Sequence, residues 1–110
     1  MASYLDEKVA RFKEEIMPKL IEQFQPQQVI LFGSRATNSA LKDSDLDLIV
    51  ISDKFEGLPW LERTFEVLWS LKSSISLDVL CYTPEEAQAR TQEIGWVAQA
   101  LKQGVILFQK

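Results

Sequence analysis

The chain has 110 residues, 46% hydrophobic and 25% charged, the balance of one ordinary domain spanning residues 1–110 and able to bury roughly 60 to 70% of its unfolded surface. Its net charge of −4 argues against extended nucleic-acid binding or a grip on an anionic membrane, both of which need clustered Lys and Arg. Histidine is absent and Cys81 is the sole cysteine, which excludes Ser-His and Cys-His nucleophilic pairs, an intramolecular disulfide and a cysteine-based zinc site.

Met1 to Lys8 contains no apolar signal core, and no apolar run approaches the roughly 20 residues of a membrane span, so a cytoplasmic location is expected. Leu5, Val9, Phe12, Ile16, Leu20 and Phe24 recur at helical spacing, with Ser3 as a plausible N-cap. Pro18 lies inside this pattern and predicts a kink or break near Met17, because proline lacks an N–H and clashes with the preceding turn. After the turn Gln25-Pro26-Gln27-Gln28, the apolar run Val29 to Phe32 reads as a strand. It stops at Gly33-Ser34, a pair able to turn sharply and present backbone N–H groups. A polar segment carrying Arg35 leads to a second strand, Asp45 to Ile51, in which alternation places Asp45 and Asp47 on one face.

Asp53 to Pro59 is loop-like, and Pro59 is well placed to start a helix over 60–75. Leu61, Phe65, Leu68 and Ile75, widened by Trp60, Trp69 and Leu71, form its expected core face. Ser76 to Tyr82 reads as a third strand in which Asp78 is the only charge, and a lone acid in an apolar run needs a reason. Thr83-Pro84-Glu85-Glu86 is a capping box with proline at the first helical position. The helix it starts is expected to reach about Gln103, loosened at Gly95 and stopped by Gly104, before a last strand, Val105 to Phe108.

If the second and third strands are neighbours, Asp45, Asp47 and Asp78 converge, and crowded carboxylates favour a bound cation. Magnesium suits them, since it takes carboxylate oxygens and leaves positions for water and phosphate. Gly33-Ser34 offers the complementary phosphate cradle, and the pair of features suggests transfer at phosphorus. Neither a P-loop nor a dinucleotide-binding glycine pattern occurs. Asp43-Ser44-Asp45 imitates the start of a calcium-binding loop, but Leu48 and Lys54 stand where that loop needs Gly and Glu. Taken alone, the aspartates are equally readable as turn punctuation.

The spacing Gly33-Ser34, ten residues, then Asp45-x-Asp47, with the later strand acid Asp78, resembles the signature of the nucleotidyltransferase superfamily that includes DNA polymerase beta, and specifically its minimal nucleotidyltransferase (MNT) branch. The resemblance spans nearly the whole chain, including the ending Gly104-Val105-Ile106-Leu107-Phe108. It implies a mixed α/β (α+β) nucleotidyltransferase fold, a small mixed sheet of about four strands flanked by helices. It further implies that Gly33 and Ser34 hold the triphosphate of ATP, with Arg35 as a phosphate-side cation. Asp45 and Asp47 would ligate two Mg2+ ions, with Asp78 as the third acid, ligating one metal and helping to deprotonate the acceptor hydroxyl. Thr37 and Asn38 stand where many relatives have a second Arg and a Gly.

Such proteins are commonly paired with a helical HEPN protein, and the resemblance implies an antitoxin that transfers AMP from ATP to a tyrosine of a HEPN-type toxin. Two alternatives stay open: a non-catalytic antitoxin or binding module acting by complex formation, and an adenylyltransferase for a small hydroxylated molecule. Trp60, Trp69, Trp96 and Phe55 are the candidates for a partner-binding patch, and homo-oligomerisation stays open.

Overall fold

The computed structural model describes residues 7–33 and 45–110. Its elements in order are α1 (Glu7–Arg11), a π-helical turn (Phe12–Ile16), α2 (Met17–Phe24), β1 (Gln28–Phe32), β2 (Leu46–Ile51), a 3-10 turn (Asp53–Phe55), α3 (Trp60–Leu71), β3 (Leu77–Tyr82), α4 (Pro84–Thr91), α5 (Trp96–Gln103) and β4 (Val105–Gln109). The expected interruption of the first helix falls at Met17. With Pro18 unable to donate, the ladder widens and the Met17 N–H bonds the Phe12 carbonyl, five residues back. Val9, Phe12, Ile16, Leu20 and Phe24 are all buried; Ser3 and Leu5 lie outside the described residues.

The sheet order is β3-β2-β1-β4. β1 pairs antiparallel with both β2 and β4, and β2 pairs parallel with β3 through the α3 crossover. One face, with Val29, Leu31, Leu46, Leu48, Val50, Val79 and Cys81, packs against the first helices and α3. The other, with Ile30, Ile49, Ile51 and Tyr82, is covered by α4 and α5 through Ala87, Val97, Ala100 and Leu101. Among the described residues no helix is long and apolar enough to cross a membrane.

The structure corrects the reading of α3 in two ways. The helix ends at Leu71, with Lys72 left-handed. Beyond it the Ser73 hydroxyl bonds both the N–H and the carbonyl of Ile75, a local alternative to continuing the helix. Its buried residues are Arg63, Val67 and Leu71, whereas Leu61, Phe65, Leu68 and Trp69, expected in the core, are exposed. The reason lies at the sheet edge. β3 is an outer strand with unpaired carbonyls, and α3 satisfies them with polar groups: Thr64 Oγ1 donates to Val79 O at 3.2 Å and Arg63 Nη1 to Cys81 O at 3.3 Å. The Arg63 guanidinium also donates to Leu58 O at 2.8 Å and grips the Glu86 carboxylate at 2.5 and 3.1 Å. Phe55, a candidate for the partner patch, is fully buried and packs on Phe24.

α4 begins with the expected capping box, Thr83 and Glu86 each bonding the other's backbone N–H. The expected single helix divides, because the chain turns at residues 92–95 and restarts at Trp96. Gly104 does follow the last helix, for a steric reason: a Cβ there would meet Ile30 Cγ2 at 2.5 Å and Ala100 O at 2.6 Å.

Arg63 is thus a structural clamp, and a stability test follows. Arg63→Ala strands two carbonyls and half-frees Glu86, at an expected cost of about 2 to 3 kcal/mol because the acid is partly solvated. Hydrogen bonding to Arg63 is the largest cause of the lowered Glu86 pKa, from an ordinary value of 4.5. A lowered carboxylate pKa stabilises the fold above 4.5 and loses that contribution as pH falls through the folded-state value. Melting curves between pH 7 and 3 should therefore show a weaker acid loss for Arg63→Ala than for the parent. Equal slopes would rule out the clamp as the source.

Candidate active site

Asp47 and Asp78 are opposite one another in the parallel register of β2 and β3. Laterally paired residues of neighbouring strands point to the same side, about 4.8 Å apart along the hydrogen-bonding direction. They share the α4/α5 face of the sheet, but lie at the start of their strands. Asp47 is half-buried, and Asp78 is exposed. Asp45 precedes the first residue of β2 and is exposed, and the Leu46 N–H bonds Ser76 O at 3.0 Å, which begins the β2–β3 ladder beside it. All three acids thus lie at one end of the sheet.

Gly33 meets them from the other side. Phe32, the last residue of β1, is paired with Asp47, so the chain turns at Gly33 directly against that carboxylate. Gly33 has φ of +76°, and a Cβ on it would fall on Asp47 Oδ2. The backbone at Gly33 is pressed against an acid, a space that only glycine leaves open. Ser34 and Arg35, the other expected phosphate contacts, lie outside the described residues, as do Thr37 and Asn38.

Asp47 and Asp78 are paired across neighbouring strands, Gly33 lies against Asp47, and Asp45, Asp47 and Asp78 are the residues that would hold a divalent cation. Among the described residues no three His, Cys, Asp or Glu side chains are drawn together as a metal-holding group.

Other chemistries find no support among the described residues. Cys81 is buried, and burial pushes its thiol up to about 12, so it is no nucleophile at neutral pH. A groove of about 600 Å³ lies at the opposite end of the sheet, lined by Gln27, Gln28, Gln88, Thr91 and Lys110 among others. Its lining includes no aspartate or glutamate, and it is remote from the carboxylates at the start of β2 and β3.

Sequence reading missed the aromatic neighbour of this site. Phe32 packs against Trp96, the first residue of α5, in a tilted ring pair with centroids 5.8 Å apart. The two are far apart in sequence, and no local periodicity relates them.

A family model described as a nucleotidyltransferase domain matches residues 13–107. The fold is similar to that of a candidate nucleotidyltransferase from Sulfolobus solfataricus, at TM-score 0.67 and 19% identity, over 97% of this chain and 88% of that one. It is also similar, at TM-score 0.54 and 19% identity, to BolA1 from Arabidopsis thaliana, over 67% of this chain and 93% of that one. Among curated proteins, none matches the sequence.

Proposed function

This chain belongs to the nucleotidyltransferase domain family, and we propose that it is a magnesium-dependent transferase of the MNT type, moving AMP from ATP to a hydroxyl of another protein, a tyrosine of a HEPN-type partner. The observation that carries the reading is the register of Asp47 with Asp78 beside Gly33. Mg2+ would supply charge neutralisation at the phosphates and polarise the phosphorus under attack. Asp45 and Asp47 would hold it, Asp78 would complete the set, and Gly33 and Ser34 would hold the phosphate oxygens. In the transfer the acceptor oxygen bonds to the α-phosphorus as the bond to pyrophosphate breaks. The hydroxyl proton leaves to a carboxylate, a role assigned to Asp78. Ser34 is a phosphate ligand in this reading, since the chain has no histidine to activate it.

An acceptor on another chain is favoured by the surface of α3. Leu61, Phe65, Leu68 and Trp69 are exposed along one face, Leu61 to 81%, and Phe65 stacks on Trp69. Exposed apolar surface of this extent, on the order of several hundred Å², marks a protein-binding face. In the crossover, α3 ends where residues 72–76 lead into β3, so the Trp69 end lies toward the end of the sheet that carries Asp78.

Incubation with labelled ATP, Mg2+ and a HEPN-type partner is expected to label a tyrosine of that partner and release pyrophosphate. Labelling of an added aminoglycoside, with the partner unmodified, would move the assignment to small-molecule transfer. Tight complex formation without any transfer would leave a binding module.

A further inference from the structure

Trp96 is an unusual residue to find at the surface. It begins α5, packs against Phe32 with ring planes tilted 34° apart, and is still 61% exposed. An indole held against a partly buried residue yet open to water exposes a large apolar π-face, which a stable fold gains little from displaying. Its position gives it a use. Phe32 shares the carboxylate face of the sheet, is paired with Asp47, and is joined directly to Gly33. Phosphates held at Gly33 leave the rest of a nucleotide to extend over the surface next to Phe32, where the Trp96 ring stands.

We propose that Trp96, held by Phe32, is the platform on which the base of the bound nucleoside triphosphate stacks. This inference rests on the reading of Gly33, Asp45, Asp47 and Asp78 as a triphosphate site, and adds the part of the ligand that those residues do not touch. Trp60 provides a contrast. It also packs on an aromatic partner, Tyr82, but Tyr82 ends β3 at the far end of the strand from Asp78. An aromatic platform recognises a base by its π-face and reads no donor or acceptor pattern. The site should therefore take ATP and GTP with similar affinity and hold pyrimidine nucleotides, with their smaller rings, less well.

The test uses the full chain with Mg2+ and two probes, ATP and inorganic tripolyphosphate, the latter having phosphates and no base. Trp96→Ala should weaken ATP binding by calorimetry on the order of ten- to a hundredfold and leave tripolyphosphate binding unchanged. Trp96→Phe, which keeps a ring on Phe32, should recover most of the loss. In a Trp60→Phe/Trp69→Phe background, ATP should quench the remaining indole fluorescence and tripolyphosphate should not. If Trp96→Ala binds ATP as the parent does, the platform is wrong while the phosphate site stands. If Trp96→Ala loses both probes together, Trp96 acts only through the fold and the proposal fails. If the parent binds neither probe, the triphosphate reading itself falls and takes the platform with it.

Discussion

Asp47→Asn is expected to abolish transfer while leaving the metal-free protein as stable as the parent or slightly more so. The first half follows from position. Asp47 is the acid on β2 that meets both neighbouring strands, paired with Asp78 on β3 and with Phe32 on β1, and Gly33, just past β1, lies against it. Removing a single electrostatic stabiliser from an active site commonly costs about a hundred- to a thousandfold in rate, and an acid that also orients a cation should cost at least that. The second half follows from charge. Asn keeps the shape of Asp and one of its two acceptor oxygens and removes a negative charge from beside Asp78, so repulsion between them is relieved. Ligand linkage gives the clearest measurement. Mg2+ and ATP at about a hundred times Kd stabilise the parent by about 2.7 kcal/mol, a melting shift of roughly 10 °C for a domain of this size. The variant should show almost none of that shift. Unfolding of Asp47→Asn without ligand would instead assign Asp47 to the structure of the sheet.

How much of this was legible in the sequence depended on how local the cause was. The capping box at Thr83 and Glu86 and the break beside Pro18 follow from residues in one another's immediate reach, and the structure has them where the spacing put them, with each strand within one residue of its expected ends. The buried face of α3 did not. That helix has two apolar stripes, and the choice between them was made by unpaired carbonyls on β3 that accept from Arg63 and Thr64. A rule that sends apolar residues inward and charges outward picks the wrong stripe in such a case. The three aspartates and Gly33 could be singled out by spacing, but the pairing of Asp47 with Asp78 depends on β2 and β3 being parallel neighbours, which is a property of the whole sheet. Trp96 shows the limit most plainly, since its partner Phe32 lies on the first strand and nothing near either residue announces the contact.

Gly33→Ala is expected to remove activity by a different route, and Gly57 provides the control. Both glycines have a left-handed backbone, with φ of +76° and +83°, where a side chain costs about 1 to 2 kcal/mol. They differ in what the new methyl group would meet. At Gly57 nothing lies within 4 Å, whereas at Gly33 the methyl would fall on Asp47 Oδ2, with Cγ at 3.2 Å. Gly57→Ala should therefore lose only the backbone term and transfer AMP at the parent rate. Gly33→Ala pays the same term, and in addition must either push the Asp47 carboxylate away from its position opposite Asp78 or move the backbone at residue 33, where the proposed phosphate contact lies. Both movements disassemble the site, so Mg2+ with tripolyphosphate should no longer raise the melting temperature of Gly33→Ala, while it still raises that of Gly57→Ala. Should the two variants lose equal stability and keep equal activity, the close approach of Gly33 to Asp47 would be a feature of the turn alone, and the phosphate cradle would have to be sought elsewhere on the chain.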